Sequence, residues 1–256
     1  MVLLRRHWGA LKALVVRDLM VRYGRNNLGF IWTLLEPMIL CTGVMVLWSF
    51  IHQPIIHGVP IVTFVVTGYM PLTLWRHMTN PVTGILRRNS SLLCHQPLSH
   101  VHVLFARSSL EFLSTTAALL VIYFVLVTLD LVEPVADLGL ALSGWLFVAW
   151  FFGAVGMLLA ALTELWEATE KIIPPMQYLA LPLSGTFFMV DWMPGYAQKL
   201  LLLNPSVHCF EMFRAGFLGE AMTTHYDPWY LAAWSTALTV AGSGALYTVR
   251  DRIQFT

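Results

Sequence analysis

Apolar positions in this chain run in long blocks, with no strand-like alternation and no soluble-helix stripe. Six blocks reach or approach the roughly 20 residues that a helix needs to cross a bilayer core of about 30 Å. They run from Phe30 to Ile51, Pro60 to Asn80, Ser108 to Thr128, Leu138 to Thr163, Ile172 to Val190 and Trp229 to Val249. Lipid satisfies no backbone polar group, so continuous apolar runs predict helices. A barrel would instead show short alternating segments. Arg76 and His77 lie near the end of the second block, where an arginine can snorkel to a membrane surface. Pro174, Pro175 and Pro182 interrupt the fifth. Between the fifth and sixth blocks the chain is not typical of a solvated loop. Leu200 to Leu203 is apolar, Asn204-Pro205-Ser206 breaks the run, and Val207 to Phe217 is amphipathic. Ser206 is the expected N-cap and Gly219 the expected stop. Two short helices dipping into the outer leaflet are predicted there.

The expected fold is therefore an all-α membrane protein in one domain, residues 1–256. A cytoplasmic interfacial helix occupies 1–29, spans one to five 30–190, an external re-entrant segment 191–228, and span six with a cytoplasmic tail 229–256. In the first segment Trp8, Leu11, Val15 and Leu19 share a helical face, and Asp18 and Arg22 form an i,i+4 pair. A topogenic basic segment explains the same charges. Lys12, Arg17 and Asp18 interrupt any signal-like apolar core.

Composition agrees with the pattern. Hydrophobic residues make up 57% and charged residues 11% of the chain, with mean hydropathy +0.69. Soluble domains carry about 25% charge. Net charge is only +1, which offers no field for nucleic acid. Lys and Arg are unevenly placed. Thirteen lie before span one, after span two, after span four or after span six; only Lys199 and Arg214 lie on the other side. Both termini are expected in the cytoplasm.

Candidate chemistry is sparse. Cys94, His95, His100 and His102 fit no common zinc spacing, and solvated polar residues are the simpler expectation. Cys41, Cys94 and Cys209 suggest no disulfide framework. Glu164, Glu167 and Glu170 beside Lys171 form an acidic turn at a helix end, the one candidate constellation for a membrane-embedded transferase. Glu36 and Glu111 lie near cytoplasmic span ends, which leaves no proton relay. No lysine follows a glycine, so a phosphate-cradling G-x-x-x-x-G-K-[ST] loop is absent and any ATP must be hydrolysed on another chain. Tyr178, Phe187, Phe188, Trp192 and Tyr196 are either interfacial anchors or rings lining a path for sugar.

The stretch Arg17-Asp-Leu-Met-Val-Arg-Tyr-Gly-Arg-Asn-Asn-Leu-Gly-Phe-Ile-Trp-Thr-Leu-Leu-Glu-Pro37 resembles the interfacial helix and first turn of type-2 ABC exporter permeases. Asn204-Pro-Ser-Val-His-Cys-Phe-Glu-Met-Phe-Arg-Ala-Gly-Phe-Leu-Gly219 is similar to their external re-entrant segment. Arg87-Arg-Asn-Ser-Ser-Leu-Leu looks like the capsule polysaccharide subgroup. The resemblance implies a non-enzymatic permease of the bacterial inner membrane. It would be a homodimer with two copies of an ATPase subunit that binds ATP and Mg. Periplasmic and outer-membrane partners would continue the route, and the substrate would be a lipid-linked polysaccharide. The coupling loop would contain Arg87, Arg88, Leu92, Leu93, His95 and Pro97. Arg22 and Arg25, with Arg87 and Arg88, would guide the anionic end of the substrate, although topology and anionic-lipid contact account for the same arginines. Exporters of O-antigen, teichoic acid, drugs or lipids share this layout.

Overall fold

The computed structural model describes residues 28–80, 82, 85, 100–166 and 168–253. They are mostly helical. Helix α1 spans Leu28–Ile51, a two-residue hairpin follows (β1 Ile55–Ile56, β2 Val59–Pro60), and α2 is Ile61–Thr79. Next come α3 (His100–Thr128), α4 (Leu138–Leu165) and α5 (Ala168–Ala180). Two 3₁₀ turns, Leu181–Leu183 and Val190–Trp192, precede α6 (Gly195–Leu201), α7 (Pro205–Leu218) and α8 (Pro228–Ile253). Three helices are long and apolar enough to cross a membrane: α1 over Leu34–Ile51, α3 and α4.

The hairpin closes on His57 and Gly58, both with positive φ, as two-residue hairpins require. It separates α1 from α2 with the pairs Ile55–Pro60 and Ile56–Val59.

The centre of the bundle is α4, packed against α8, α7 and α2. The crossing with α7 is close because small residues meet there. A Cβ on Gly144 would lie 2.7 Å from the Phe213 backbone, and one on Gly216 would strike Ala141. Lipid offers helices no hydrophobic reason to associate, so small residues that let backbones approach supply the packing. Trp75, Phe152, Trp145 and Phe213 fill the rest of this core. Helix α1 is different: Trp32, Ile39, Val46, Leu47 and Phe50 are exposed along it.

Three expectations change. The fifth block is not one helix: α5 stops at Ala180, and Gly185 turns the chain with φ +96°. Pro182 ends regular helix because its ring removes an N–H and crowds the preceding turn. Second, α3 begins eight residues earlier than its apolar block, so His100 is buried within a helix and is not a solvated loop residue. Third, Asn204, not Ser206, caps α7: its Oδ1 accepts from Ser206 N, and Pro205 takes the first helical position. Gly219 ends α7 as expected, with φ +54°.

Candidate functional site: a buried charged clamp beneath an aromatic face

The connection between α5 and α8 contains a non-helical stretch, 184–189. Its carbonyls have no helical donors. At membrane depth such backbone persists only where protein satisfies it. Arg214 of α7 does this. Its Nη1 donates to the carbonyls of Gly185 and Phe188, the latter at 2.7 Å, and its Nη2 donates to Thr186 O at 2.7 Å. The guanidinium lies 4.5 Å from the Phe64 ring centre, a cation–π distance. It is wholly buried. Gly68 of α2 leaves the space, since a Cβ there would lie 2.5 Å from Thr186 O and 2.7 Å from Arg214 Nη2.

Glu211 is one turn earlier on α7 and also fully buried. One carboxylate oxygen accepts Val190 N at 3.1 Å and the other His225 N at 3.0 Å. Two further residues of this region complete the clamp. His208 Nε2 donates to Leu202 O at 2.8 Å, and its Nδ1 accepts Asp227 N at 3.0 Å. The Asn204 amide donates to Leu183 O at 2.9 Å. Asp227 in turn caps α8, accepting from Trp229 N and Tyr230 N. One short helix thus fixes the end of α5 and the start of α8 together.

The aromatic residues singled out from sequence divide around this clamp. Tyr178, Phe187 and Tyr196 are exposed. Phe188 is buried with Val190 and Val207. Trp192 packs on Phe64, ring centres 4.9 Å apart, and on His57 at 5.0 Å. Phe187 stacks at 6.3 Å on Trp48 of α1. Arg22, Arg25, Arg87, Arg88, Leu92, Leu93, His95 and Pro97 lie outside the described residues, as do Cys94 and Glu167.

At the other end of the bundle Glu111 is fully buried, three turns into α3. Arg107 Nη2 lies 3.2 Å and His77 Nδ1 3.5 Å from its carboxylate, which joins α2 to α3. Sequence reasoning named Glu111 without its burial and did not single out Glu211. The available signal was an Glu211-x-x-Arg214 pair in an apolar helix, because intramembrane charges occur where partners neutralise them.

Three long apolar helices fit a membrane protein, and comparison with known proteins decides which kind. The ABC-2 type transporter family matches residues 9–218. The chain belongs to that family. The capsule polysaccharide export inner-membrane protein CtrC of Neisseria meningitidis is 35% identical over 230 residues, 90% of this chain and 87% of the relative. BexB of Haemophilus influenzae, a capsule polysaccharide export inner-membrane protein, is 31% identical over 91% of this chain and 88% of its own. The polysialic acid transport protein KpsM of Escherichia coli is 24% identical over 96% and 95%. Membership places this ABC-2 chain in the inner membrane as a transporter component. The family match includes the clamp helix α7 and its Gly68 partner.

Proposed function

We propose that this chain is the transmembrane subunit of an ATP-driven exporter of capsular polysaccharide. The likeness to CtrC and BexB along nine-tenths of the chain carries the reading. In this reading the chain crosses the membrane six times, both termini are cytoplasmic, and α6 and α7 enter the outer leaflet without crossing it. Two copies assemble with two copies of a separate ATPase. The segment with Arg87, Arg88, Leu92, Leu93, His95 and Pro97 transmits ATPase movement to the spans. Periplasmic and outer-membrane proteins receive the polymer.

The geometry supports specific roles. Exposed Tyr178, Phe187 and Tyr196 offer rings with amphipathic faces, and such faces accept a sliding sugar without fixing a hydrogen-bond register. The clamp holds the backbone behind Phe187 rigid. A ring on that support can contact polymer without the loop collapsing into the bundle. Arg22 and Arg25 are positioned in sequence to meet an anionic substrate end at the cytoplasmic surface.

The test is co-expression of the chain with an ATPase subunit from its own gene cluster, followed by purification in lipid. The expected result is a stable complex with ATPase activity, and loss of surface capsule when the chain's gene is deleted. Surface capsule unchanged by the deletion would refute the assignment. Weaker ATPase activity in an R87A/R88A variant would place the coupling segment.

A further inference from the structure

Arg76 occupies an unusual position among the cations of this chain. It lies in the last turn of α2 and is exposed. Among the described residues no carboxylate pairs with it. Two clefts meet at its side chain and at Asn80. The larger, 230 Å³, opens toward α1 and includes Glu36, Tyr69 and His77. The smaller, 150 Å³, lies between α2 and α5. Its walls are Trp75, Arg76 and Asn80 on one side and Ile173, Pro174, Gln177, Tyr178 and Leu181 on the other. Among the described residues no carboxylate lines it.

We infer that the α2–α5 cleft is a binding site for an anionic group, a carboxylate or phosphate, held by Arg76. The charge decides between the two clefts. In the larger one Glu36 would repel an anion; in the smaller one Arg76 is the one charged residue among the described lining residues. The guanidinium presents a planar fork that suits carboxylate and phosphate. The Gln177 amide is already oriented, donating to Thr79 Oγ1 at 2.8 Å, so its oxygen remains as an acceptor for a hydroxyl. Tyr178 and Trp75 add flat rings of the kind that meet sugar faces. The volume of about 150 Å³ leaves room for the charged group and the start of its carrier. Pro174 and Pro175 lie within α5, and proline frees the carbonyl four residues earlier.

This inference rests on the export reading for its biological ligand, which is either the acidic end of the exported glycolipid or an anionic membrane lipid. The two share chemistry and are separable. Purified full-length chain in detergent would be titrated with oligogalacturonate, with neutral dextran oligomers as the control, and separately with phosphatidylglycerol against phosphatidylcholine by native mass spectrometry. Replacing the ionic contact removes one charge-assisted bond, so R76Q is expected to weaken one of the two anionic probes about tenfold. R76K should retain part of the affinity, and K171Q should leave it unchanged. Loss confined to oligogalacturonate assigns the site to substrate; loss confined to phosphatidylglycerol assigns it to lipid. If neither anionic probe binds the parent, or R76Q binds both as the parent does, the inference is overturned. A chain that exports capsule yet shows no Arg76-dependent binding overturns this inference alone. A chain that binds through Arg76 but assembles with no ATPase overturns the export reading and leaves the site standing.

Discussion

Arg214 carries more structure than any other side chain of the α5–α8 connection. Three carbonyls point at it, Glu211 stands one turn away, and Phe64 covers its face. Removing one partner from a buried charged network leaves the remainder uncompensated, at a cost of about 3–5 kcal/mol. R214M is therefore expected to lower stability by that amount, measured as a fall in the thermal midpoint of the detergent-solubilised chain. R214K should recover part of the loss, because lysine keeps the charge but not the three-carbonyl fork. An R214M midpoint equal to the parent's would mean that the carbonyls find other donors. Gly68 tests the same contact from the opposite side. A methyl there meets the Thr186 carbonyl oxygen, which is backbone and already held. G68A should cost about 1–3 kcal/mol through overpacking, whereas G43A, which meets nothing within 4 Å, should not destabilise the chain. Equal behaviour of the two variants would remove the steric argument.

At the scale of elements, the long blocks were legible because lipid demands continuous apolar helix: α1 and α4 follow theirs within two residues, whereas α3 starts eight residues before its block. What was hidden depends on partners distant in sequence. Hydropathy places Arg214 and Lys199 together as external charges, yet Lys199 is exposed and Arg214 buried, because carbonyls 26 to 29 residues earlier face the arginine. The apolar block from 172 to 190 reads as one span since proline lowers hydropathy little; its actual break needs backbone conformation, φ +96° at Gly185. Likewise the amphipathic reading of 207–217 does not survive burial of both faces by α4 and the loop. Of the aromatic path, sequence identified the residue type and the region but not the rotation that exposes Tyr178 and Tyr196 while packing Phe188. The α4–α7 crossing is also invisible without coordinates. Gly216 approaches Ala141 so closely that a larger residue must push the helices apart. G216V is expected to destabilise by about 1–3 kcal/mol and to loosen the clamp, seen as faster amide exchange at Val190 and His225. Unchanged exchange with lowered stability would separate the crossing from the clamp.

For the whole molecule, the decisive question is how the chain returns to the far side between α4 and α8. Helix α5 has 13 residues, which at 1.5 Å each is about 20 Å, short of a hydrocarbon core of about 30 Å. The missing depth falls on 181–190, where two short 3₁₀ turns flank irregular chain. Such a segment is tolerable at membrane depth only if protein, not lipid, satisfies it. Arg214, Glu211 and Asn204 satisfy it here. We propose that a half-helix and a clamped irregular segment together make the fifth crossing, which would account for the buried charges. Such a crossing would put exposed Lys171, near the start of α5, and exposed Lys199, on α6, on opposite faces of the membrane. The measurement is labelling of single cysteines, K171C and K199C, in a chain with Cys41, Cys94 and Cys209 replaced, using a membrane-impermeant maleimide. K199C should react on intact spheroplasts, and K171C only after the membrane is opened. If both react from the same side, the segment turns back without crossing. The clamp would then fold a re-entrant loop, and the six-span reading would lose its fifth crossing.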